Sequence, residues 1–322
     1  RVVHINAAAG RILDVVPETS VERLIWEVTR VRRVSEAIEQ VLEGAREVTG
    51  ELRLQVDSQD RIVQLHGAPL RNGHGDLVGA VLVLHDVTEL QRLETVRRDF
   101  VANVSHELKT PITAIRGLID TIVTDEEMPE ETRERFLTRI QRQSERLSLL
   151  VTDLLTLARL ESAEALLEAA PLDLRDIVRS SAANFRASAE ERQVSVRVDV
   201  PDEPVRIQGD GDALTLLTNN LVDNALKYTP AGGDVQLRLH AADGLAVLDV
   251  RDTGIGIAPE HHDRIFERFY RVDKARSREL GGTGLGLSIV KHVCRGHGGS
   301  VVVESAPARG STFRVSLPLA AG

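Results

Sequence analysis

The chain has 322 residues, of which 42% are hydrophobic, and a formal net charge of −9. At roughly 150 residues per domain, this length predicts two or three domains. The negative charge argues against nucleic-acid binding, which needs a basic face, so any polyphosphate ligand must meet a local cluster of cations. A single cysteine, Cys294, excludes an intrachain disulfide framework and is expected to be a packed thiol in a reducing compartment.

The sequence contains no run of about 18 apolar residues that could span a bilayer, and no signal peptide. It begins at Arg1 and enters the strand-like run Val2–Ile5 at once, which predicts a chain cut within its first domain. We therefore expect the cytoplasmic portion of a protein, with membrane contact only through an upstream segment that is absent from this chain.

The first 90 residues alternate helical and strand-like patterns, which predicts an α+β domain. The expected elements, in order, are a strand at Val2–Ile5, a helix at Ala7–Val15, helical spacing over Val21–Thr49, and strands at Glu51–Asp57, Arg61–Leu70 and Leu77–Val87. The segment Arg71–Asp76 between the last two strands carries a hairpin turn signal.

Between Thr88 and Val123 the apolar residues recur at steps of three and four, which predicts one long amphipathic helix of roughly 50 Å. Asp125–Glu131 interrupts this pattern, and a second apolar stripe runs from Phe136 to Leu160. Two such helices joined by a short turn form an antiparallel hairpin. Pairing two hairpins into a dimeric four-helix bundle would cover both stripes, although neighbouring domains could also cover a monomeric hairpin.

Beyond Pro171 the pattern predicts a layered α/β domain that is large enough for its own core. The expected strands are Val194–Val200, Val205–Gln208, Val235–His240, Leu245–Arg251, Ser300–Glu304 and Thr312–Leu317, and the expected helices are Asp173–Glu191, Asp212–Tyr228 and Leu285–Gly296.

The run Ser105–Thr113 places a histidine, a carboxylate, a threonine and a proline within one stretch of the first long helix. His106 is either an exposed surface residue or a nucleophile. Thr110 follows it at i+4 on the same helical face, whereas Glu107 is rotated by about 100° and must reach sideways. Pro111 cannot donate to the carbonyl of Glu107, so the helix is expected to bend one turn past the histidine.

A polar face on the predicted helix Asp212–Tyr228 suggests a metal-bridged polyphosphate site. Asn220, Asn224 and Lys227 stand at i, i+4 and i+7 and therefore line up. Amide oxygens suit Mg²⁺, and the nitrogen donors suit phosphate. The alternative is a solvated face, but asparagine is a poor helix former and needs a reason at mid-helix.

Two glycine-rich segments and a basic stretch follow. Asp252–Ile257 comes after a strand and is either a close-approach loop or a glycine turn with an Asx cap. Gly282–Leu287 precedes a helix, whose first N–H groups can hold phosphate, but its spacing fits neither a P-loop nor a dinucleotide fingerprint. Between them lie Phe266–Asp273 and the bases Lys274, Arg276 and Arg278. We expect residues 258–281 to form a mobile lid over phosphates.

Taken in order, these motifs resemble the H, N, G1, F and G2 boxes of bacterial sensor histidine kinases. The corresponding residues are Ser105–Thr113 (H), Asn220–Thr229 (N), Asp252–Ile257 (G1), Phe266–Asp273 (F) and Gly282–Leu287 (G2). Residues 1–90, which end in Asp86-Val-Thr88, resemble a PAS sensor domain that lacks its first strand. The stretch Arg97–Ile112 is especially similar to phosphate-starvation and cell-wall sensors. The resemblance implies a multidomain α+β protein with a PAS-like domain at 1–90, a dimerisation and phosphotransfer hairpin at 91–166, and a GHKL-type α/β sandwich that binds ATP at 167–322.

The resemblance also implies a function: ATP-dependent autophosphorylation on His106 and phosphoryl transfer to an aspartate of a response regulator. Glu107 is expected to hold the Nδ1 proton of His106, and Thr110 to position a water that hydrolyses the regulator's aspartyl phosphate. Asn220 is the expected Mg²⁺ ligand. The residues expected to contact ATP are Asn224, Lys227, Tyr228, Asp252, Gly254, Gly256, Tyr270, Arg271, Gly282, Thr283, Gly284, Leu285, Gly286 and Leu287.

The expected partners are a cognate response regulator and a second copy of the chain, and the expected cofactors are ATP and Mg²⁺. Two other classes of protein are possible alternatives. One is a signalling scaffold without turnover, against which the intact site residues speak. The other is a different ATPase with the same nucleotide fold, such as a chaperone or a repair clamp, and those proteins lack an H-box on a helical hairpin.

Overall fold

The computed structural model describes residues 1–56, 59–161, 169–273 and 282–320. It divides into two compact units, Arg1–Ala102 and Asn103–Gly322. None of the helices in the described ranges is long and apolar enough to cross a membrane.

The first unit packs short helices against an antiparallel sheet with the strand order β1-β2-β3. Its elements are α1 (Ala7–Leu13), α2 (Pro17–Ser20), α3 (Ile25–Val28), α4 (Arg32–Leu42), β1 (Val48–Val56), β2 (Gln59–Arg71) and β3 (Leu77–Asp86). Val34 of α4 is buried in one cluster with Val63 and Leu65 of β2. The three strands predicted between Glu51 and Val87 and the hairpin turn are confirmed, except that Asp57 lies outside the described residues.

Two predictions for the first unit are wrong. Val2–Ile5 forms no regular strand, and its short backbone pairing with residues 22–23 involves Val2 alone. The helical spacing over Val21–Thr49 does not give one helix, because Thr29 leaves the helical path and its Oγ1 accepts a 3.2 Å hydrogen bond from the Val31 N–H. Such local side-chain bonds compete with helix formation.

Two long helices follow, α5 (Thr88–Thr124) and α6 (Glu130–Glu161), as the apolar periodicity predicted. α5 continues through Pro111, whose ring is buried. Leu150 and Leu157 of α6 are buried within the chain, at 4% and 0% exposure. Several apolar residues of the first stripe stay exposed in a single copy, including Leu93, Ile112 and Ile119.

The remaining residues form a layered α/β sandwich, which confirms the predicted fold class. Its elements are β4 (Ala170–Asp173), α7 (Leu174–Asn184), α8 (Arg186–Glu191), β5 (Ser195–Asp199), β6 (Arg206–Gly209), α9 (Gly211–Tyr228), β7 (Asp234–Ala242), β8 (Leu245–Asp252), α10 (Gly286–Gly296), β9 (Ser300–Ser305) and β10 (Ser311–Pro318). The main sheet has the order β5-β7-β8-β10-β9, and β4 pairs with β6. α9 contacts both α7 and α10.

The helix predicted over Asp173–Glu191 is divided. Asp173 caps α7 by accepting a hydrogen bond from the Arg175 N–H, and the helix breaks at Phe185, where ψ is 3°. α8 then starts as a separate helix. The short strand β4, which pairs with β6, was not predicted. Cys294 is fully buried, and burial raises the pKa of its thiol to about 12, so it is a packed thiol as expected.

Candidate active site

His106 lies on α5 with 68% of its side chain exposed, next to the largely buried carboxylate of Glu107. The distance from His106 Nδ1 to Glu107 Oε1 is 3.9 Å, which is too long for a hydrogen bond. The expected bond between Glu107 and the Nδ1 proton is therefore not formed in this structure. The other oxygen of the Glu107 carboxylate, Oε2, contacts two arginines.

Glu107 Oε2 accepts hydrogen bonds from Arg146 Nη2 at 3.0 Å and from Arg271 Nη2 at 3.3 Å. The side chains of Arg146 and Arg271 are only 14% and 6% exposed. Arg146 comes from α6, whereas Arg271 comes from the segment between β8 and α10. The carboxylate beside His106 is thus the point where the H-box and the F-box meet in space.

Thr110 is exposed on α5, one turn after His106. Its Oγ1 donates a 3.0 Å hydrogen bond to the backbone carbonyl of His106, the back-bonded geometry common for threonine in helices. The hydroxyl proton is therefore bound within the helix, while the side chain stays exposed to solvent. Thr110 shares the helical face of His106, as predicted.

The polar side chains of α9 contact other residues of α9 and the glycine-rich start of α10. Asn220 Nδ2 donates to the carbonyl of Leu216 at 2.9 Å, and Oδ1 lies on the side of Gly286. A Cβ on Gly286 would overlap this Oδ1, and only glycine allows the loop to come so near. Lys227 Nζ contacts Asp223 Oδ2 at 2.5 Å. Asn224 is half-buried one turn before Lys227.

Asp252 ends β8 and is buried, with 4% exposure. Its Oδ1 accepts hydrogen bonds from the N–H groups of Gly254 at 2.8 Å and Ser311 at 3.2 Å. Burial raises the pKa of this carboxyl, and the hydrogen bonds from Gly254 and Ser311 oppose the rise. The Asx-type bond to Gly254 is the local turn that the sequence suggested, and it holds the carboxylate rigidly at the mouth of the loop.

Glycines bring the motifs into backbone contact. A Cβ on Gly254 would overlap the carbonyl of Tyr228, so the G1 loop rests on the end of α9. Gly284 has a φ of +77° and lies against Phe269 and Arg271, which joins the G2 loop to the F-box. Gly256, with a φ of +68°, instead packs against the carbonyl of Ala306 in the turn before β10.

Thr283 links the G2 loop to the hairpin. Its Oγ1 donates a 2.6 Å hydrogen bond to Asp153 Oδ2 of α6 and accepts one from the Leu285 N–H at 3.2 Å. Burial raises the pKa of Asp153, while the bond from Thr283 and the nearby Lys227 oppose the rise. Leu285 is fully buried and anchors the loop.

The other expected site residues lie at the edge of this cluster. Tyr270 Oη is 2.7 Å from His261 Nδ1, and the guanidinium of Arg264 stacks 4.4 Å from its ring centre. Gly282 and Leu287 are half-buried at the two ends of the G2 loop. The bases Lys274, Arg276 and Arg278, and most of the second half of the expected lid, lie outside the described residues.

Two residues that contact the site were not predicted, Arg146 and Asp153. Both lie on α6, seven residues apart, and so share one side of the helix. The available signal was weak: both are charged residues set among the leucines of the second apolar stripe, at Leu147, Leu150 and Leu154. Their partners, Glu107 and Thr283, are 39 and 130 residues away in sequence, and periodicity carries no information about such contacts.

Three family models match consecutive parts of the chain. The PAS fold matches residues 1–92, the His Kinase A (phospho-acceptor) domain matches residues 96–163, and the histidine kinase-, DNA gyrase B-, and HSP90-like ATPase matches residues 209–321. The phospho-acceptor match separates this chain from ATPases that share only the nucleotide fold.

Curated relatives agree with the family models. The sensor-like histidine kinase SenX3 of Mycolicibacterium smegmatis is 38% identical over 99% of this chain and 78% of its own length. The phosphate regulon sensor protein PhoR of Pseudomonas aeruginosa is 40% identical over 72% of this chain and 52% of its own length.

Among solved structures, histidine kinase ThkA in complex with response regulator protein TrrA is 22% identical, with a TM-score of 0.57, over 99% of this chain and 92% of that chain. At this identity the likeness is one of fold. The family models and the match to SenX3, which spans 99% of this chain, together show that the chain belongs to the sensor histidine kinases. It is a protein histidine kinase that uses ATP.

Proposed function

We propose that His106 is the phosphoacceptor of this kinase. Its Nε2 attacks the γ-phosphorus of ATP, the bond between that phosphorus and the β,γ-bridging oxygen breaks, and ADP leaves. The product carries a phosphoryl group on Nε2. An aspartate of a response regulator then attacks this phosphorus, which regenerates His106 as a neutral imidazole.

The contact between Arg271 and Glu107 carries this proposal. Arg271 belongs to the ATP-binding part, and its Nη2 lies 3.3 Å from the carboxylate next to His106. The contact supports an arrangement in which the ATP-binding part approaches the hairpin at the H-box. His106 itself is exposed, so its ring is accessible to a nucleotide and to a protein partner.

Glu107 would orient the nucleophile. A neutral imidazole attacks through Nε2 only when its proton is on Nδ1, and a carboxylate near Nδ1 favours that tautomer. Glu107 Oε1 is already the nearer oxygen, at 3.9 Å, and a movement of about 1 Å would bring it within hydrogen-bonding distance.

The nucleotide would be held by the motifs around α9. The buried Asp252 would accept the adenine amino group, because a fixed, desolvated acceptor discriminates well between donors. Lys227 and Asn224 would donate to phosphate oxygens, and the G2 loop would offer N–H groups at the start of α10. Arg271 and Thr283 would add donors from the F and G2 boxes.

Mg²⁺ fits one position in this arrangement. The described residues contain no cluster of three or more histidine, cysteine, aspartate or glutamate side chains that could hold a metal alone. Asn220 Oδ1, which lies beside Gly286, is a hard oxygen of the kind that Mg²⁺ accepts together with phosphate oxygens and waters. When bound, the ion would neutralise phosphate charge.

Incubation with γ-labelled ATP tests the proposal. The wild-type chain should acquire label that is acid-labile and stable in alkali, as expected for phosphohistidine. His106→Ala should bind ATP and take up no label. His74→Ala, in the exposed hairpin turn of the first unit, is the matched control and should label normally. Label retained in His106→Ala would overturn the assignment.

The hairpin, residues 88–165, would form a homodimer. Leu93, Ile112 and Ile119 are 61%, 52% and 44% exposed in one copy, and these are positions of the first stripe that a four-helix bundle would bury. Light scattering at micromolar concentration should give twice the chain mass of 35.3 kDa. A mass near that of one chain would contradict the bundle.

A response regulator is the proposed protein partner. Histidine kinase ThkA, which shares the fold of this chain, was solved in complex with a response regulator, and this supports the choice. Transfer of label from the phosphorylated chain to a regulator, and its loss when the acceptor aspartate is replaced, would test this step. The domain limits at residues 90 and 166, and a membrane anchor in a longer form of the protein, stay predictions from the sequence.

A further inference from the structure

Arg146 contacts the residue that follows the phosphoacceptor. Its Nη2 lies 3.0 Å from Glu107 Oε2, and the two side chains are only 14% and 16% exposed. A hydrogen bond between two charged groups is stronger than a neutral one, and its partial burial reduces the screening by water. Arg146 therefore fixes the position of the Glu107 carboxylate more firmly than an exposed ion pair would.

The second arginine that binds the same oxygen, Arg271, lies outside the hairpin. It belongs to the ATP-binding part of the chain, and in the proposed function its guanidinium binds a nucleotide phosphate. Arg146 is on α6, which is joined to α5 by the short turn of the hairpin. Glu107 and Arg146 thus stay neighbours whenever the hairpin is folded, whichever group Arg271 contacts.

The two oxygens of the Glu107 carboxylate face different residues. Arg146 binds Oε2, and the other carboxylate oxygen, Oε1, is the one that faces His106 Nδ1. Holding one oxygen limits rotation of the carboxylate about its last side-chain bond. The remaining oxygen is then kept on the side of the imidazole, from which a small shift closes the hydrogen bond.

We propose that Arg146 is a positioning residue for phosphoryl transfer to His106: it anchors Glu107 so that Oε1 holds the Nδ1 proton and Nε2 stays the nucleophile. This inference rests on the proposed roles of His106 and Glu107. Arg146 does not touch ATP in this scheme, so its effect is on the chemical step and not on nucleotide binding.

Three variants of α6 test the inference in the full chain. Arg146→Met removes the charge and keeps much of the packing, Arg146→Lys restores a cation with a single donor group, and Arg142→Met is the control. Arg142 lies one turn earlier on the same helix, with an exposed side chain. Circular dichroism and thermal unfolding of each variant establish that the hairpin is intact.

The measured quantities are kcat and the KM for ATP in autophosphorylation. Arg146→Met should lower kcat roughly 10- to 100-fold, the scale of a misplacement of about 1 Å in a reacting group. The KM should stay within about twofold, Arg146→Lys should recover part of the rate, and Arg142→Met should match the wild type. An unchanged kcat in a folded Arg146→Met variant would overturn the proposal.

A double-mutant cycle with Glu107→Gln separates positioning from a general structural effect. If Arg146 acts through Glu107, the double variant should be no slower than Glu107→Gln alone, because coupled residues are not additive. Losses that multiply would show that Arg146 acts elsewhere. If His106→Ala still accepts label, the proposed function fails instead, so the two failures are distinguishable.

Nitrogen NMR of the His106 ring provides a readout that does not depend on turnover. In the wild type the neutral ring should carry its proton on Nδ1. In Arg146→Met the population with the proton on Nε2 should increase, and in Arg142→Met it should not. The same tautomer in Arg146→Met and the wild type would contradict the positioning role even if kcat falls.

Discussion

Thr283 of the G2 loop donates a 2.6 Å hydrogen bond to Asp153 of α6. In the proposed function the same hydroxyl faces a nucleotide phosphate. The carboxylate of the hairpin therefore occupies a donor of the ATP site, and it also lies near Lys227, another proposed phosphate contact. Thr283 and Lys227 therefore serve two interactions: the contact of the G2 loop with α6, and the proposed binding of phosphate.

Asp153→Ala should therefore tighten ATP binding. The substitution releases the Thr283 hydroxyl and removes a negative charge that would repel phosphate, and a coupling of this kind is worth about fivefold or more. Isothermal titration with a non-hydrolysable ATP analogue measures it. Glu145→Ala, an exposed carboxylate on the same helix, is the control and should leave the affinity unchanged. Weaker binding in Asp153→Ala would show that Asp153 supports the nucleotide site.

Asp252→Asn should weaken nucleotide binding and stabilise the fold at neutral pH. The loss of a charged acceptor for adenine should cost about 1–3 kcal/mol in binding free energy. Titration of ATP into the variant measures this cost. An unchanged affinity would exclude the adenine role of Asp252.

The stability effect follows from the raised pKa of Asp252. Between the ordinary aspartate pKa of about 3.9 and the raised folded-state value, the folded chain binds more protons than the unfolded chain. The contribution of this carboxyl to stability therefore falls as pH rises through that window and is unfavourable above it. Thermal unfolding at neutral pH should give a higher Tm for Asp252→Asn. A lower Tm would mean that the charge is needed to hold the Gly254 and Ser311 N–H groups.

Thr110→Ala should separate autophosphorylation from the dephosphorylation of the regulator that the sequence predicts. The hydroxyl donates to the carbonyl of His106 in its own helix, and alanine is a better helix former than threonine, so α5 should not suffer. Autophosphorylation should stay within a few-fold of the wild type, while the labelled regulator should lose its phosphoryl group much more slowly. If the labelled regulator loses its phosphoryl group at an unchanged rate, Thr110 has no role in that reaction.

Thr121→Ala is the matched control for Thr110. Thr121 lies on the same helix, is exposed, and makes the same back-bond, a 2.8 Å hydrogen bond to the Gly117 carbonyl. It should leave both reactions unchanged. If Thr121→Ala slows regulator dephosphorylation as much as Thr110→Ala does, the effect comes from the helix and not from the hydroxyl beside His106.

Gly286→Ala should damage the Mg²⁺-dependent reaction. The new methyl group would overlap Asn220 Oδ1, so either the amide or the loop must move, at a typical overpacking cost of about 1–3 kcal/mol. Autophosphorylation should fall and should need more Mg²⁺ for half-maximal rate. Gly211→Ala, at a glycine of α9 with open space around it, is the control. A normal Mg²⁺ dependence in Gly286→Ala would argue against Asn220 as the ligand.

The sequence predicted the elements whose signal is local and repeated. The apolar steps of three and four predicted α5 and α6 correctly, because a long helix repeats its burial pattern many times. The strands around the Arg71–Asp76 turn were clear for a similar reason. Val2–Ile5 has the composition of a strand, but a strand needs a neighbouring ladder, and in the described residues it meets only a short turn segment.

The site was predictable as a set of motifs but not as an arrangement. Asn220, Asp252 and the G2 glycines stand out by residue type and spacing. The contact between Glu107 and Arg271 joins residues 164 positions apart, and no pattern in either motif specifies it. Arg146 and Asp153 resemble ordinary surface charges until the fold brings their partners to them.

The position of β10 in the main sheet has a consequence for how the chain is made. β10 (Ser311–Pro318) pairs with β8 on one side and with β9 on the other, so it is an interior strand. A nascent chain that still lacks these residues leaves the edges of β8 and β9 open, and open edges invite pairing with other chains. During synthesis the first unit and the hairpin can fold early. The ATP-binding sandwich has to wait for residues 311–318, so a kinase stalled or truncated before them would have the phosphoacceptor without the means to phosphorylate it.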